Sequence, residues 1–147
     1  MSIATRPLQA DDYERWLLLW GEFLRYHRKD LAPEITQSSW ERLTGAHPAY
    51  HGLVAVVDGV VVGFAHLIFH PSTWSIRHYG YLSDLYVAPE ARGKGVGRAL
   101  MEAIYAFADV ADVGPVYWHT EDFNVEARRL YESVAYRNSF IQYRRRS

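Results

Sequence analysis

The sequence predicts one mixed α/β domain over residues 1–147. Three observations support this prediction: the length is that of a single compact domain, apolar residues recur with helical spacing in several segments, and short β-branched and aromatic runs lie between them. In chain order the elements are β, α, α, three strands, α, β, α and β. Strands interleaved with helices in this way are typical of a sheet covered by helices.

The first 45 residues predict a strand followed by two helices. Residues 3–8 can form the strand, and Asp11 has a side chain suited to cap the helix that follows. A second, shorter helix is predicted over residues 38–43 and ends at Gly45. The first helix is amphipathic, with i, i+3, i+4 and i+7 spacing of these residues: Tyr13, Trp16, Leu17, Trp20, Phe23, Leu24 and His27.

The middle of the chain predicts three strands. Residues 53–57 and 60–67 are β-branched runs separated by Asp58-Gly59, and an Asp-Gly pair tolerates the positive φ of a tight hairpin turn. Residues 79–87 form another apolar and aromatic run, which ends before Pro89. We therefore expect a hairpin followed by a third strand.

The C-terminal part of the chain predicts helix, strand, helix and strand. Residues 116–120 and 140–143 are the two strands. The first helix follows a glycine-rich loop and has this apolar stripe: Val96, Leu100, Ala103, Ile104 and Phe107. The second helix begins after a cap at Asp122 or Asn124 and has this stripe: Ala127, Leu130, Tyr131 and Val134.

Composition excludes several classes of function. The net charge is -1 and the pI is about 6.6, which argues against nucleic acid as a partner; the basic run 144–146 is a terminal tail. Since there is no cysteine, disulfides, thiolate metal sites and cysteine nucleophiles are excluded. The histidines do not form a His-x-x-x-His pair within one predicted helix, and we predict no metal site.

The same sequence predicts a cytoplasmic protein that does not bind membranes. The first seven residues lack the apolar core of a signal peptide. No apolar run approaches the roughly 20 residues that a membrane-spanning helix needs.

A glycine-rich loop, residues 92–97 (Arg-Gly-Lys-Gly-Val-Gly), lies between a predicted strand and a predicted helix. Glycines let a backbone approach a phosphate closely, and the start of the helix adds free N–H groups and a partial positive charge. Two rival motifs fail, because position 100 is not glycine as Gly-x-Gly-x-x-Gly requires, and Gly93-Lys94 is not followed by Ser or Thr as a P-loop requires. The loop therefore predicts an anion site, with a plain surface turn as the alternative.

Two segments resemble the GNAT superfamily of N-acetyltransferases. Residues 85–100, from Leu-Tyr-Val-Ala-Pro to Arg-Ala-Leu, resemble its coenzyme A-binding segment, and residues 117–131 resemble the second half of that site, including the spacing from Asn124 to Tyr131. The likeness is to the branch that contains the yeast histone and polyamine acetyltransferase and its bacterial relatives. It implies the single-domain GNAT fold, a mixed, mostly antiparallel sheet flanked by helices.

The resemblance also implies a cofactor and a site. Acetyl-CoA would be the co-substrate, its acetyl carbonyl would meet backbone amides of the strand at residues 85–87, and Tyr131 would be the general acid for the leaving thiolate. A phenol, with an ordinary pKa of about 10, can protonate a thiolate whose pKa is about 8–9. The implied cofactor-binding residues are Leu85, Tyr86, Val87, Arg92, Gly93, Lys94, Gly95, Val96, Gly97, Arg98, Asn124 and Tyr131.

The general base is less well defined. The residues that could take a proton from the attacking ammonium are Asp84, His119 and Glu22, and Asp84 is favoured because it lies within an apolar strand. The alternative for Asp84 is a structural hydrogen bond. Related sequences often have Glu where this chain has Ser83, so that a role which Glu fills elsewhere is vacant or has moved here.

The predicted reaction is direct transfer of acetyl from acetyl-CoA to a primary amine, which could be a polyamine, an amino acid, an amino-antibiotic or a protein lysine. The alternative is a non-catalytic CoA-binding module with a regulatory or sensor role. A homodimer is expected by analogy with this branch. The side chains proposed to line the acceptor cleft are Tyr26, Asp30, Glu34, Trp40, Trp74 and Tyr81.

Overall fold

A five-stranded sheet forms the centre of the computed structural model, which describes residues 2–147. The strands are β1 (Ile3–Pro7), β2 (Tyr50–Val57), β3 (Val60–Ser72), β4 (Ser75–Val87) and β5 (Val116–Tyr117). They lie in chain order; β1 to β4 pair antiparallel, and only β4 and β5 pair parallel. The prediction of a mixed, mostly antiparallel sheet is confirmed.

Four helices cover the two faces of the sheet. They are α1 (Tyr13–Tyr26), α2 (Pro33–Thr44), α3 (Val96–Val110) and α4 (Val125–Val134). Side chains alternate along a strand, so Val54 and Phe64 pack with Trp16 of α1 in one core cluster. Their neighbours Leu53 and Ala65 pack with residues of α3 in a second cluster on the opposite face. The sheet therefore separates α1 and α2 from α3 and α4.

Several element boundaries differ from the sequence prediction. α2 begins at Pro33 instead of residue 38, with the proline in the first turn, where its missing N–H costs no hydrogen bond. β3 continues to Ser72 and β4 begins as early as Ser75, so that the two strands form a long second hairpin. β5 includes only two of the five residues predicted for it.

The predicted strand over residues 140–143 is wrong. Residues 135–147 belong to no helix or strand, and the side chains of Phe140, Ile141 and Tyr143 are 73%, 75% and 87% exposed. An apolar run becomes a strand only where a neighbouring strand satisfies its backbone, and β5, at the edge of the sheet, pairs over two residues only.

A bidentate ion pair fastens β1 to the start of α1. Both terminal nitrogens of Arg6 donate to the carboxylate of Asp12, at 2.8 and 2.9 Å, and the backbone N–H of Gln9 donates to the same group at 2.8 Å. Asp12 is buried. The carboxylate that accepts these hydrogen bonds before α1 is therefore that of Asp12, whereas the sequence predicted Asp11 as the cap.

Candidate functional site

A cleft opens where β4 and β5 separate. Their parallel pairing is limited to Gly80 with Val116 and Tyr81 with Tyr117. From Leu82 to Val87, the edge of β4 that faces β5 pairs with no strand among residues 2–147, because the chain turns away after β5 and continues to α4. The resulting cleft has a volume of about 560 Å³ and lies between β4, the glycine-rich loop and α4.

Ser83 forms a β-bulge in β4 at the mouth of this separation. His66 of β3 pairs with Asp84, while Leu67 pairs with Leu82, so that Ser83 is the extra residue. The bulge reverses the alternation of side chains: Leu82 and Leu85 both pack in the core cluster beneath α3 although they are three positions apart. Asp84 is thereby placed on the α1 side of the sheet.

The glycine-rich loop offers a row of free amides. Gly93 and Gly95 have φ of +74° and +90°, which L side chains rarely adopt, and α3 begins directly afterwards. Within the described residues, no acceptor pairs with the backbone N–H groups of residues 93–98. Such amides at a helix N-terminus fit a phosphate group, since they supply donors and the positive end of the helix dipole.

Three cationic side chains surround the loop. Arg92 donates from Nε to the carbonyl of Val87 at 3.0 Å, and Arg98 donates from Nη2 to Ser133 Oγ at 2.7 Å. Each guanidinium has five donor hydrogens, so both keep donors for an anion. Both line the cleft, whereas Lys94 does not, and its Nζ donates to the carbonyl of Glu90 at 3.2 Å.

The structure brings nearly all the predicted site residues to this one cleft. Asn124 caps α4, since its side chain accepts a hydrogen bond from the N–H of Ala127 at 3.3 Å. Of the predicted residues, those that line the cleft are Asp84, Leu85, Tyr86, Val87, Arg92, Gly93, Gly95, Val96, Gly97, Arg98, Asn124 and Tyr131.

Tyr131 lies on α4 and faces the cleft with an altered acidity. Burial, and secondarily the nearby Tyr26, raise the pKa of Tyr131 to about 12. Its ring packs edge-on against Trp118, with the ring centres 5.4 Å apart. The sequence analysis expected a phenol with an ordinary pKa of about 10. That expectation is corrected, because the buried Tyr131 is a weaker acid with a pKa of about 12.

The three candidate bases occupy different surroundings. Asp84 Oδ2 is 2.9 Å from His66 Nδ1 and 3.0 Å from Ser83 Oγ. His119 Nδ1 is 3.3 Å from the hydroxyl of Tyr81. Asp84 and His119 line the cleft.

Glu22, the third candidate, is outside the lining and accepts a hydrogen bond from the hydroxyl of Tyr86 at 3.0 Å. Burial, followed by this carboxylate, raises the pKa of Tyr86, so that the phenol acts as the donor in this pair. Glu22 is therefore engaged with a buried tyrosine, which leaves Asp84 and His119 as the bases within reach of the cleft.

The acceptor side of the cleft differs from the predicted set. α1 contributes Phe23 and Tyr26, and the C-cap that follows it contributes His27. Of these three residues, only Tyr26 was predicted for this role. Trp40 is a buried core residue and Trp74 is 78% exposed in the β3–β4 turn. The other three predicted residues, Asp30, Glu34 and Tyr81, are not part of the lining.

Sequence reasoning missed a buried contact behind Asp84. The indole Nε1 of Trp16 in α1 donates to Nε2 of His66 in β3, at 3.0 Å. Trp16 carried only the signal of a core stripe, and His66 only that of a strand residue. A pair 50 positions apart in the chain leaves no local spacing by which to recognise it.

Two other kinds of feature, a metal-binding cluster and a membrane-spanning helix, are absent from residues 2–147. No group of three or more His, Asp or Glu side chains lies close enough to hold a metal ion. None of the described helices combines the length and apolar character that crossing a bilayer requires.

Comparison with known proteins assigns the family. Residues 13–136 match the Acetyltransferase (GNAT) family. The chain is similar to the D-amino-acid N-acetyltransferase HPA3 of Saccharomyces cerevisiae, with 34% identity over 97% of this chain and 90% of the yeast protein. It is also similar to the thialysine N-epsilon-acetyltransferase of Bos taurus, with 33% identity over 61% of this chain and 57% of the bovine protein.

Solved structures share the fold at lower identity. The chain superposes on the AAC(6')-Iy complex with a CoA bisubstrate analog, with a TM-score of 0.83, 18% identity and full coverage of both chains. It superposes on the ribosomal-protein-alanine N-acetyltransferase of Brucella melitensis with a TM-score of 0.79 and 23% identity, over 99% of this chain and 100% of the other. These structures share the fold of the chain, while the family match over residues 13–136 and the similarity to the yeast enzyme show that the chain is an acetyltransferase of the GNAT family.

Proposed function

We propose that this acetyltransferase moves the acetyl group of acetyl-CoA directly onto a primary amine. The observation that carries the proposal is the single cleft in which the unpaired amides of residues 93–98, the carboxylate of Asp84 and the protonated phenol of Tyr131 meet. A diphosphate group, an amine and a thiolate each find there a group of suitable chemistry.

The donor half of the cleft fits acetyl-CoA. GNAT acetyltransferases use this co-substrate, and we place its diphosphate on the loop amides beside Arg92 and Arg98. The free edge of β4 at residues 85–87 supplies amides for the pantetheine chain and the acetyl carbonyl. A donor fixed against the developing oxyanion is typically worth about 3–4 kcal/mol in the transition state.

Asp84 is the proposed base. It takes a proton from the substrate ammonium, directly or through one water, and the amine nitrogen then bonds to the acetyl carbon. The bond between that carbon and sulfur then breaks as the carbonyl re-forms, and the electron pair leaves on sulfur as a thiolate. The nitrogen, positively charged after attack, loses its second proton to solvent and becomes the neutral amide. A carboxylate placed within reach of the ammonium also holds the amine before attack.

Tyr131 stabilises the departing thiolate. With a pKa of about 12 the phenol is less acidic than a thiol of pKa about 8.5, so complete proton transfer to sulfur is uphill. A hydrogen bond donated from the Tyr131 hydroxyl is favourable regardless of that difference. The proposed role is therefore a permanently protonated donor to sulfur, with the final proton of the thiol coming from solvent.

The acceptor is proposed to be a primary amine, and an amino acid is the first class to test. The yeast relative, which shares 34% identity with nearly the whole chain, is a D-amino-acid N-acetyltransferase by name. Polyamines, amino-antibiotics and protein lysines remain in the proposed class. The aromatic rings of Phe23 and Tyr26 in α1, and of His27 at its C-cap, line the acceptor side and suit a cationic amine.

The test is thiol release from acetyl-CoA in the presence of D- and L-amino acids, spermidine, an aminoglycoside and a lysine peptide. Turnover with any of these amines above the amine-free rate supports the proposal. The competing function, a CoA-binding regulatory or sensor module, predicts calorimetric binding of acetyl-CoA with no thiol release. A folded protein that binds neither CoA nor acetyl-CoA at millimolar concentration would contradict both functions.

A homodimer is proposed as the working state. Phe140, Ile141 and Tyr143 are largely exposed in the C-terminal tail, and β5 is a short edge strand. Exposed apolar side chains and an open sheet edge each favour association of two copies. Sedimentation of the full chain and of a chain ending at residue 138 tests this; a full-length monomer at micromolar concentration rejects it.

The proposed compartment is the cytoplasm, which the composition favours because the chain has no cysteine. Fractionation of the source cells checks this proposal. Recovery in a secreted or membrane fraction would reject it.

A further inference from the structure

The geometry points to a positioning role for His66: held in one tautomer by Trp16, it orients Asp84 as the group that receives the amine. This inference rests on the proposed acetyl transfer and adds two residues to it. Neither of them lines the cleft.

The hydrogen bonds define the tautomer of His66. An indole N–H can only donate, so Nε2 of His66, 3.0 Å from Trp16 Nε1, must accept and carries a lone pair. The proton of the neutral ring is therefore on Nδ1. That nitrogen lies 2.9 Å from Asp84 Oδ2 and donates to it.

Both donors to Asp84 reach the same oxygen. His66 Nδ1 and Ser83 Oγ donate to Oδ2, whereas Oδ1 has no hydrogen-bond partner among the described residues. The carboxylate is thus held at one oxygen while the other has no hydrogen-bond partner within residues 2–147, and Asp84 itself lines the cleft. A base that must accept a proton from a bound ammonium needs this combination of fixed orientation and one free oxygen.

Burial makes the arrangement rigid. Trp16 is fully buried and His66 is 2% exposed, so bulk water does not compete for these bonds. The imidazole also stacks on Phe64, with ring centres 4.6 Å apart, and packs against Trp20 at 5.4 Å. The bonds connect α1, β3 and β4, and they end at the point where the bulge at Ser83 turns Asp84 towards the α1 side.

A purely structural network would have the same distances, so the test must separate turnover from stability. His66→Leu removes the donor to Asp84, while His66→Asn keeps an N–H near the Nδ1 position. Trp16→Phe removes the indole N–H that fixes the tautomer. The matched control is Trp40→Phe, which alters another buried indole of the same aromatic cluster, 4.9 Å from Trp16.

Each variant is measured for kcat and for KM of both substrates, with the amine that gives the fastest thiol release in the panel above, at a temperature where unfolding scans show it folded. We expect His66→Leu to lower kcat by about tenfold to about a hundredfold, part of the roughly 10²–10⁴-fold that a positioned acid–base group contributes. The KM for acetyl-CoA should stay within about twofold, and His66→Asn should recover much of the loss. Trp16→Phe should slow turnover several-fold more than Trp40→Phe does.

Nitrogen NMR of histidine-labelled protein gives a second readout that needs no substrate. A proton on Nδ1 of His66 and a lone pair on Nε2 are expected, and Trp16→Phe should disturb this state. The inference is overturned if His66→Leu and Trp40→Phe have equal kcat, or if the proton of His66 lies on Nε2. In either case the proposed function still stands as long as the wild-type protein turns over. If His66→Leu does not fold, equal kcat in Trp16→Phe and Trp40→Phe has the same meaning. Absence of wild-type turnover with every amine overturns the proposed function and this inference with it.

Discussion

Arg98, in the first turn of α3, donates a hydrogen bond from Nη2 to Ser133 Oγ near the end of α4, at 2.7 Å. The Ser133 hydroxyl in turn donates to the carbonyl of Leu130 at 2.6 Å. At the same junction a Cβ added at Gly97 would lie 3.0 Å from Leu130 Cδ2. The start of α3, beside the loop that we assign to the diphosphate, therefore packs directly against the helix that carries Tyr131. A substitution that moves the loop is expected to move α4 as well.

Gly95→Ala should weaken CoA binding through the backbone alone. Gly95 has φ +90°, and a Cβ there meets nothing closer than Ile3 Cδ1 at 4.0 Å, so the effect is conformational and not a clash. A left-handed conformation costs an L residue about 1–2 kcal/mol, and relaxing it moves the loop amides. Calorimetry of CoA binding and urea unfolding should both show losses.

Gly59→Ala is the matched control for that variant. Gly59 has φ +77° in the β2–β3 turn, with nothing within 4 Å of an added Cβ. The variant should lose similar stability while its Kd for CoA stays unchanged. Equal Kd values for Gly95→Ala and wild type would remove the loop amides from the proposed phosphate site.

Tyr131→Phe should lower kcat by about a hundredfold, the lower part of the range for removing one fixed hydrogen-bond donor to a developing negative charge. CoA affinity should change little, because the ring remains. Since the pKa of Tyr131 is about 12, the phenol stays protonated up to about pH 11, and any alkaline decline of wild-type activity between pH 8 and 10 should have another origin.

Tyr105→Phe serves as the control for Tyr131→Phe. It removes a hydroxyl that donates to the carbonyl of Val134 at 3.0 Å, outside the cleft lining. Stability should fall in this variant while kcat holds. Unchanged turnover in Tyr131→Phe at every pH would show that the phenol does not assist the leaving sulfur.

Features set by neighbouring residues could be predicted from the sequence, and features set by distant contacts could not. The stripe of α1, the Asp58-Gly59 hairpin and the glycine-rich loop follow local spacing, and each is present. The bulge at Ser83 depends on how β4 pairs with β3, which no run of residues encodes. The strand predicted at residues 140–143 had the right composition but lacks a paired neighbour.

The candidate site shows the same division. Gly95 and Tyr131 were placed by motif and spacing, and both line the cleft. The contact of Trp16 with His66 joins two elements 50 residues apart, and it was invisible until both were folded onto the sheet.

Asp12 should make stability depend on acidity. The hydrogen bonds from Arg6 lower the pKa of Asp12, so this contribution is complete above the unfolded-state pKa of about 3.9 and is lost as pH falls through the folded value. Asp12→Asn should cost about 1–3 kcal/mol at pH 7. The difference from wild type in urea unfolding should shrink towards pH 2.

Asp112→Asn tests whether any aspartate would behave in this way. Asp112 pairs with Arg77 at 3.4 Å on the surface, and Asn tolerates its positive φ of 55°. This variant should match wild type at pH 7 within about 0.5 kcal/mol. If the difference in unfolding free energy between Asp12→Asn and wild type does not change with pH, packing and not the charge of the carboxylate stabilises the start of α1.

Asn124 combines two roles that substitution can separate. Its side chain caps α4 through the N–H of Ala127, and it also lines the cleft. Asn124→Ala should cost about 1 kcal/mol of stability, whereas Asn124→Asp keeps an N-cap acceptor and should retain nearly all of it. If Asn124 also contacts coenzyme A, the added negative charge should weaken binding of this anion in the Asp variant, most strongly at low salt. Calorimetry at two salt concentrations measures this, and wild-type affinity in a fully stable Asn124→Asp protein would assign the residue to capping alone.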